Sequence, residues 1–178
     1  DYGTPSPWPL ETLDRLRKLE PATWIRGNGE RWLRDPPLDR PEVMQVYELF
    51  TGGLPDSVVE WLYGLPPQAE LDGVLYVHGS PLADDDSFAP QPQEGEQRLL
   101  AGVHDRLVVF GHSHQQFRRP GPENTELLNP GSVGMPLDGD VRAAWAVRED
   151  DGEFRFCRTE YDFQRAADAY RALGGAFG

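Results

Sequence analysis

Hydrophobic positions change their rhythm about halfway along the chain. In the first part they recur at helical spacing. Leu10, Leu13, Leu16 and Leu19 follow Pro9, a residue suited to a first helical turn, and predict a helix from Pro9 to about Leu19 with one buried stripe. Two more amphipathic segments, Arg40 to Phe50 and Asp56 to Tyr63, are separated by Gly52-Gly53 and closed by Pro66-Pro67, so both read as helices. Ala22 to Arg26, a short β-branched and aromatic run ending at Gly27, predicts a strand that delivers a loop.

The second part is built on short dry runs. Gly73 to Val77 is apolar throughout and ends at His78, and Arg106 to Phe110 ends at Gly111; both read as buried strands. A helix is predicted around Glu94 to Val103, further strands at Glu126 to Leu128, Arg142 to Arg148 and Glu153 to Arg158, and a closing helix at Gln164 to Leu173. Helices first and strands later, with no repeat and no linker, predict one layered α/β sandwich over residues 1–178.

Composition narrows the setting. The chain of 178 residues, 38% hydrophobic and 26% charged, has the length and content of one globular domain. No apolar run is long enough to span a bilayer, so membrane insertion is not expected. Cys157 is the single cysteine, which excludes an intrachain disulfide and fits a reducing cytoplasm. A net charge of −13 argues against nonspecific nucleic-acid binding, because phosphate backbones reward cationic surfaces. A phosphate-bearing small molecule would need bound metal and a few local arginines. Nothing in the sequence bears on oligomeric state.

Candidate chemistry sits where the predicted strands end. Asn28 follows the strand ending at Arg26, His78 follows Val77, and His112 with His114 follow Phe110. Residues two apart in extended backbone point the same way, so His112 and His114 can present two imidazoles together. Imidazole, carboxylate and amide oxygen suit borderline divalent ions, and a pair of these can clamp a phosphate and acidify a water. No Ser or Cys lies in a nucleophile motif. If His78 and His112 share an ion, their rings must lie within about 8 Å of each other.

RGNGE, VHGS, FGHSH and LLNPGSVGMPLDGD occur in the order of the motifs of calcineurin-like metallophosphoesterases, and the chain resembles the small bacterial and archaeal phosphodiesterases of that family over nearly its whole length. The resemblance implies a four-layer α/β/β/α sandwich. It also implies two divalent metal ions, with Mn foremost and Fe, Zn, Ni or Co suitable, that activate water against phosphodiesters or phosphomonoesters. Position by position, Asp1 matches the metal-bridging aspartate, Asn28, His78 and His112 match ligands of the second ion, and His114 matches a ligand of the first. Asn28, His78 and Arg26 are the candidate catalytic groups, and Arg26 and Arg31 the candidate contacts to substrate phosphate.

Two departures from the family pattern stand out. The chain starts at the aspartate of Gly-Asp, so the N-terminal βα unit carrying Asp-x-His is absent from it, and about 40–60 further residues upstream are expected. Gly29 stands where most members carry a histidine that contacts phosphate and assists the leaving group. These departures favour the rival reading of a catalytically inactive binding scaffold, which the retention of His78, His112 and His114 opposes. A serine/threonine protein phosphatase shares the same motifs.

Overall fold

The computed structural model describes residues 1–41, 43, 47 and 53–173, which group into two compact units, Asp1–Pro66 with Asp162–Gly178 and Pro67–Tyr161. Most of the helix predicted from Arg40 to Phe50 lies outside the described residues.

The first unit is helical: α1 (Pro9–Leu16), α2 (Asn28–Trp32), α3 (Asp56–Tyr63) and α4 (Phe163–Ala172). Pro9 opens α1 as expected, but the helix ends at Leu16, and of the predicted stripe only Leu13 is fully buried while Leu10 and Leu19 are exposed. A spacing of three falls about 60° short of a full turn at each step, so such a row spirals off the buried face. Leu13 packs with Val58 and Leu62 of α3, flanked by Tyr2, Leu33, Leu54, Trp61 and Leu65. Trp24 meets Tyr2 and Trp61 edge-on, with ring centroids 4.7 and 5.2 Å apart. Ala22 to Arg26 is not a strand. It joins no ladder among the described residues, and its backbone groups are taken individually: Ile25 exchanges hydrogen bonds with the Tyr2 hydroxyl and the Arg26 amide donates to the Pro66 carbonyl at 2.7 Å.

A five-stranded mixed sheet forms the second unit. Its strands are β1 (Gln68–Leu71), β2 (Val74–Val77), β3 (Leu107–Val109), β4 (Gln116–Pro120) and β5 (Glu126–Pro130), in the spatial order β1-β2-β3-β5-β4. The three inner strands run parallel, with Leu75 beside Val108 and Val108 beside Leu127, and the two edges are antiparallel. One face buries Leu75, Val77, Val108, Phe110 and Leu127 with Phe88, Leu99 and Leu100, while Val74, Val109 and Leu128 pack on the other. Both faces of the inner strands are therefore dry, which is why they read as continuous apolar runs.

The edges were less legible. β1 pairs with β2 through Asp72 and Gly73, both at positive φ, the two-residue turn that Asp-Gly favours. The predicted strand from Gly73 therefore starts one residue later, and its hairpin partner has too little apolar content to stand out. The segment Glu94 to Val103 holds only a 3-10 helix, Glu96–Leu100, stopped by Ala101 and Gly102 in left-handed backbone. A separate two-stranded sheet pairs β6 (Ala143–Arg148) with β7 (Phe154–Thr159); there Trp145 is 41% exposed and donates to the Thr159 hydroxyl.

Arg119 of β4 and Glu96 form a buried two-pronged ion pair, with contacts of 3.0 and 2.7 Å, and Arg119 also donates to the Ala89 carbonyl. Removing one partner strands the other charge in a dry site. Arg119→Ala should lower unfolding stability by about 3–5 kcal/mol in urea titration. Replacing both members with apolar residues of similar size should cost much less.

Candidate functional site

The five predicted ligands fall into two groups. Asp1 and Asn28 belong to the first unit, and His78, His112 and His114 to the second.

In the first unit, Gly27 is the cap of α2, and Glu30 reaches back to accept from the Gly27 amide at 2.8 Å, an arrangement that a Glu three residues after a cap predicts. The other carboxylate oxygen of Glu30 accepts from the Tyr2 amide at 2.8 Å, so one fully buried side chain fastens the opening residues to the loop. Asp1 follows suit: its Oδ1 accepts from the Gly29 amide at 2.7 Å, and Asn28 beside it is buried. Tyr47 donates to the Gly29 carbonyl and shares a 2.9 Å hydrogen bond with Thr4. Burial drives the Tyr47 hydroxyl well above its ordinary pKa, with the charge of Glu30 adding to the rise, so it stays protonated. Tyr2 is pushed up to about 12, chiefly by burial.

These contacts explain Gly29. A Cβ there would come 2.7 Å from Asp1 Oδ1 and 3.0 Å from the Tyr47 hydroxyl. The residue is thus a backbone donor wedged between two polar groups, a role that needs the side chain absent. The predicted arginines differ from each other. Arg26 donates from NH1 to the Tyr63 carbonyl at the end of α3 and lies over the Tyr63 ring, so its guanidinium is already engaged, although its buried Nε has no hydrogen-bond partner. Arg31 lies close enough to Tyr47 to lower its pKa electrostatically.

In the second unit, β2 ends at Val77 and presents His78, whose carbonyl accepts the Gly111 amide at 2.7 Å. Gly79 is obligatory here, because a Cβ would press within 2.6 Å of the Asp84 carbonyl. β3 leads through Phe110 and Gly111 to His112. The His78 and His112 rings meet edge-on with centroids 5.5 Å apart, inside the limit of about 8 Å that a shared ion requires. Both His112 and His114 sit at positive φ, 59° and 56°. They are therefore not in the extended backbone that the sequence pattern suggested. The Ser113 amide closes back onto the Gly111 carbonyl at 2.7 Å, which makes His112 the centre of a three-residue turn. Such backbone costs a non-glycine residue about 1–3 kcal/mol and persists only where surroundings over-determine it.

Burial disfavours the protonated forms of His112 and His114. Burial depresses the pKa of His112, neighbouring His78 lowers it further, and Asp84, Asp85 and Asp86 oppose the shift. Burial likewise depresses His114, aided by His112 and His78 and resisted by a backbone hydrogen bond with Met135. His114 Nδ1 is buried without a hydrogen-bond partner. Neutral imidazoles brought together, one with an unpaired buried nitrogen, are the donor type that borderline divalent ions take. The set fits such an ion in kind and is incomplete in number: among the described residues, no group of three His, Cys, Asp or Glu side chains stands ready to hold a metal alone.

Sequence reasoning missed Glu30, Tyr47 and Asn129 as the groups that hold these loops. Glu30 was legible as a capping residue. Asn129, fully buried in β5, lies inside the LLNPGSVGMPLDGD motif, but nothing in that motif shows which loop its side chain holds.

Comparison with known proteins places this geometry. A family model described as the calcineurin-like phosphoesterase superfamily domain matches residues 7–151. The chain is 33% identical over 75 residues to "Uncharacterized protein MJ0912" of Methanocaldococcus jannaschii, a match that takes in 34% of this chain and 31%, under a third, of that relative. Among solved structures it is similar to a metallophosphoesterase from Sphaerobacter thermophilus, with a TM-score of 0.73 and 24% identity over 95% of this chain and 79% of that one. It is also similar to hypothetical protein PH1004 from Pyrococcus horikoshii OT3, with a TM-score of 0.72 and 19% identity over 94% and 74% of the two chains. At these identities the structural likeness speaks for the fold.

Two outcomes follow from the local geometry. Gly29→Ala should destabilise the chain by about 1–3 kcal/mol, read from denaturant midpoints, since Asp1 and Tyr47 must both shift. Because His112 and His114 bind protons more weakly folded than unfolded, the unfolded chain gains protons first as pH falls. Metal-free protein should therefore lose thermal stability as pH drops below about 6.5, and His112→Asn should flatten that slope.

Proposed function

The chain belongs to the calcineurin-like phosphoesterase superfamily, and from that membership we propose that it is a metal-dependent hydrolase of phosphate esters whose cation site is built on His78, His112 and His114. The observation that carries this reading is the His78–His112 pair, 5.5 Å between ring centroids, beside a third imidazole with a buried unpaired nitrogen. Asp1 and Asn28 are assigned as oxygen ligands on their positions in the family pattern. When bound, a pair of divalent ions would supply positive charge for the phosphate and lower the pKa of a water.

The chain's own residues then do the following. Burial keeps His112 and His114 unprotonated, so ring lone pairs are available without first releasing a proton. The Gly29 amide fixes the Asp1 carboxylate through Oδ1. Arg26 and Arg31 are the assigned contacts to substrate phosphate, and the Arg26 NH1 also donates to the Tyr63 carbonyl. Position 29 has no side chain to hand a proton to the departing oxygen. That favours phosphodiesters, pyrophosphate-like bonds or other esters with good leaving groups, since a missing general acid commonly costs 10²–10⁴-fold with poor ones.

The lack of a donor at position 29 also suits the second reading, a binding scaffold without activity. Metal content separates the two. Purified protein supplied with Mn²⁺ should retain the ion and cleave a chromogenic phosphodiester faster with Mn²⁺ than without. His112→Ala should reduce that rate by about 100-fold. Unchanged cleavage in His112→Ala would overturn the assignment, and protein that holds no metal would favour the scaffold.

A further inference from the structure

The amide of Asn129 is tied into the loop that carries His112. Asn129 is fully buried in β5, where Phe117 of β4 pairs with it, and its side chain points out of the ladder into the loop after β3. Nδ2 donates to the Gly111 carbonyl at 2.8 Å and to the Ser113 hydroxyl at 3.0 Å, while Oδ1 accepts from the Gly131 amide at 2.9 Å. Those first two partners are the residues on either side of His112. The Gly111 carbonyl is also the group on which the three-residue turn closes, through the Ser113 amide, and the Ser87 hydroxyl reaches it at 3.4 Å. The amide of the same Gly111 is held by the His78 carbonyl. A left-handed histidine in a tight turn relaxes unless something fixes both of its neighbours, and the Asn129 side chain hydrogen-bonds both.

We propose that Asn129 is the positioning residue of the imidazole pair: by gripping Gly111 and Ser113 it holds His112 at the apex of the turn and sets the ring geometry on which divalent-cation binding depends. This deepens the metal-centre reading and rests on it. Ligand orientation by a hydrogen-bonded partner one step removed is worth about 10–100-fold in metal affinity at comparable centres. Here the partner acts through the two residues flanking the ligand, at the Gly111 carbonyl and the Ser113 hydroxyl, and not through the second ring nitrogen. Such a role is invisible to a search for side chains that touch the ion.

The experiment uses the full chain, freed of metal. Asn129→Ala should lose the left-handed signature of His112 in backbone NMR couplings and carbon shifts, and should bind Mn²⁺ about 10–100-fold more weakly by calorimetric titration. In a His112→Ala background the same change should leave the residual Mn²⁺ affinity unaltered, because the amide then has no ring to hold. A merely structural part would weaken both backgrounds alike. Wild-type affinity in Asn129→Ala, an equal loss in both backgrounds, or a retained left-handed signature overturns the proposal. Should Asn129→Ala fail to fold, Ser113→Ala removes one of the two acceptors and leaves the core intact; a smaller shift in both readouts supports the proposal, and no shift overturns it. If the wild-type chain takes up no Mn²⁺, the metal-centre reading falls, and the His112 signature in Asn129→Ala then decides the positioning role by itself.

Discussion

Parallel pairing of three short dry strands decides where chemistry can stand on this sheet. β2, β3 and β5 are buried on both faces, so every peptide group between them must find a partner in the ladder, and the register is fixed by Leu75, Val108 and Leu127 packing side by side. Parallel strands put their C-terminal ends on one edge. His78, the Gly111 to His114 loop and Asn129 all emerge there. The hydrophobic effect thus fixes the loop positions before any polar group contributes, and the polar groups only need to set orientation over a few ångströms.

What was legible in the sequence follows the same division. The inner strands announced themselves because burial on both faces demands unbroken apolar runs, and the histidines after them were found by position alone. β1 and β4 were missed because an edge strand exposes half its residues and carries charges such as Glu70, Arg118 and Arg119. Ala22 to Arg26 was misread for the opposite reason: its residues prefer extended backbone, yet local preference makes no ladder without a neighbour. The site was legible as a set of residue types. Its geometry was not, since nothing in Gly-His-Ser-His reveals two left-handed histidines, and nothing in Gly-Asn-Gly-Glu reveals that a tyrosine hydroxyl and a carboxylate crowd the second glycine.

Buried polar groups in the two units are tied down by different means. In the first, one carboxylate, Glu30, satisfies two amides far apart in sequence, so Tyr2 and Gly27 cannot move independently. In the second, one amide side chain satisfies a carbonyl, a hydroxyl and a backbone N–H at once. Each hub is completely buried, where an unmatched hydrogen-bonding group costs about 1–3 kcal/mol, so neither loop can relax without exposing several such groups together. Rigidity at both loops comes from this cooperativity more than from any single bond.

The positive φ angles of His112 and His114 bear on how this loop drifts over generations. Left-handed backbone favours glycine and, after it, asparagine. A lineage released from selection on the imidazoles would lower its energy by acquiring those residues, and the replacement would leave the fold untouched. Histidine kept at both positions in a descendant is therefore a record of present use, whereas glycine or asparagine there marks a copy whose chemistry has lapsed.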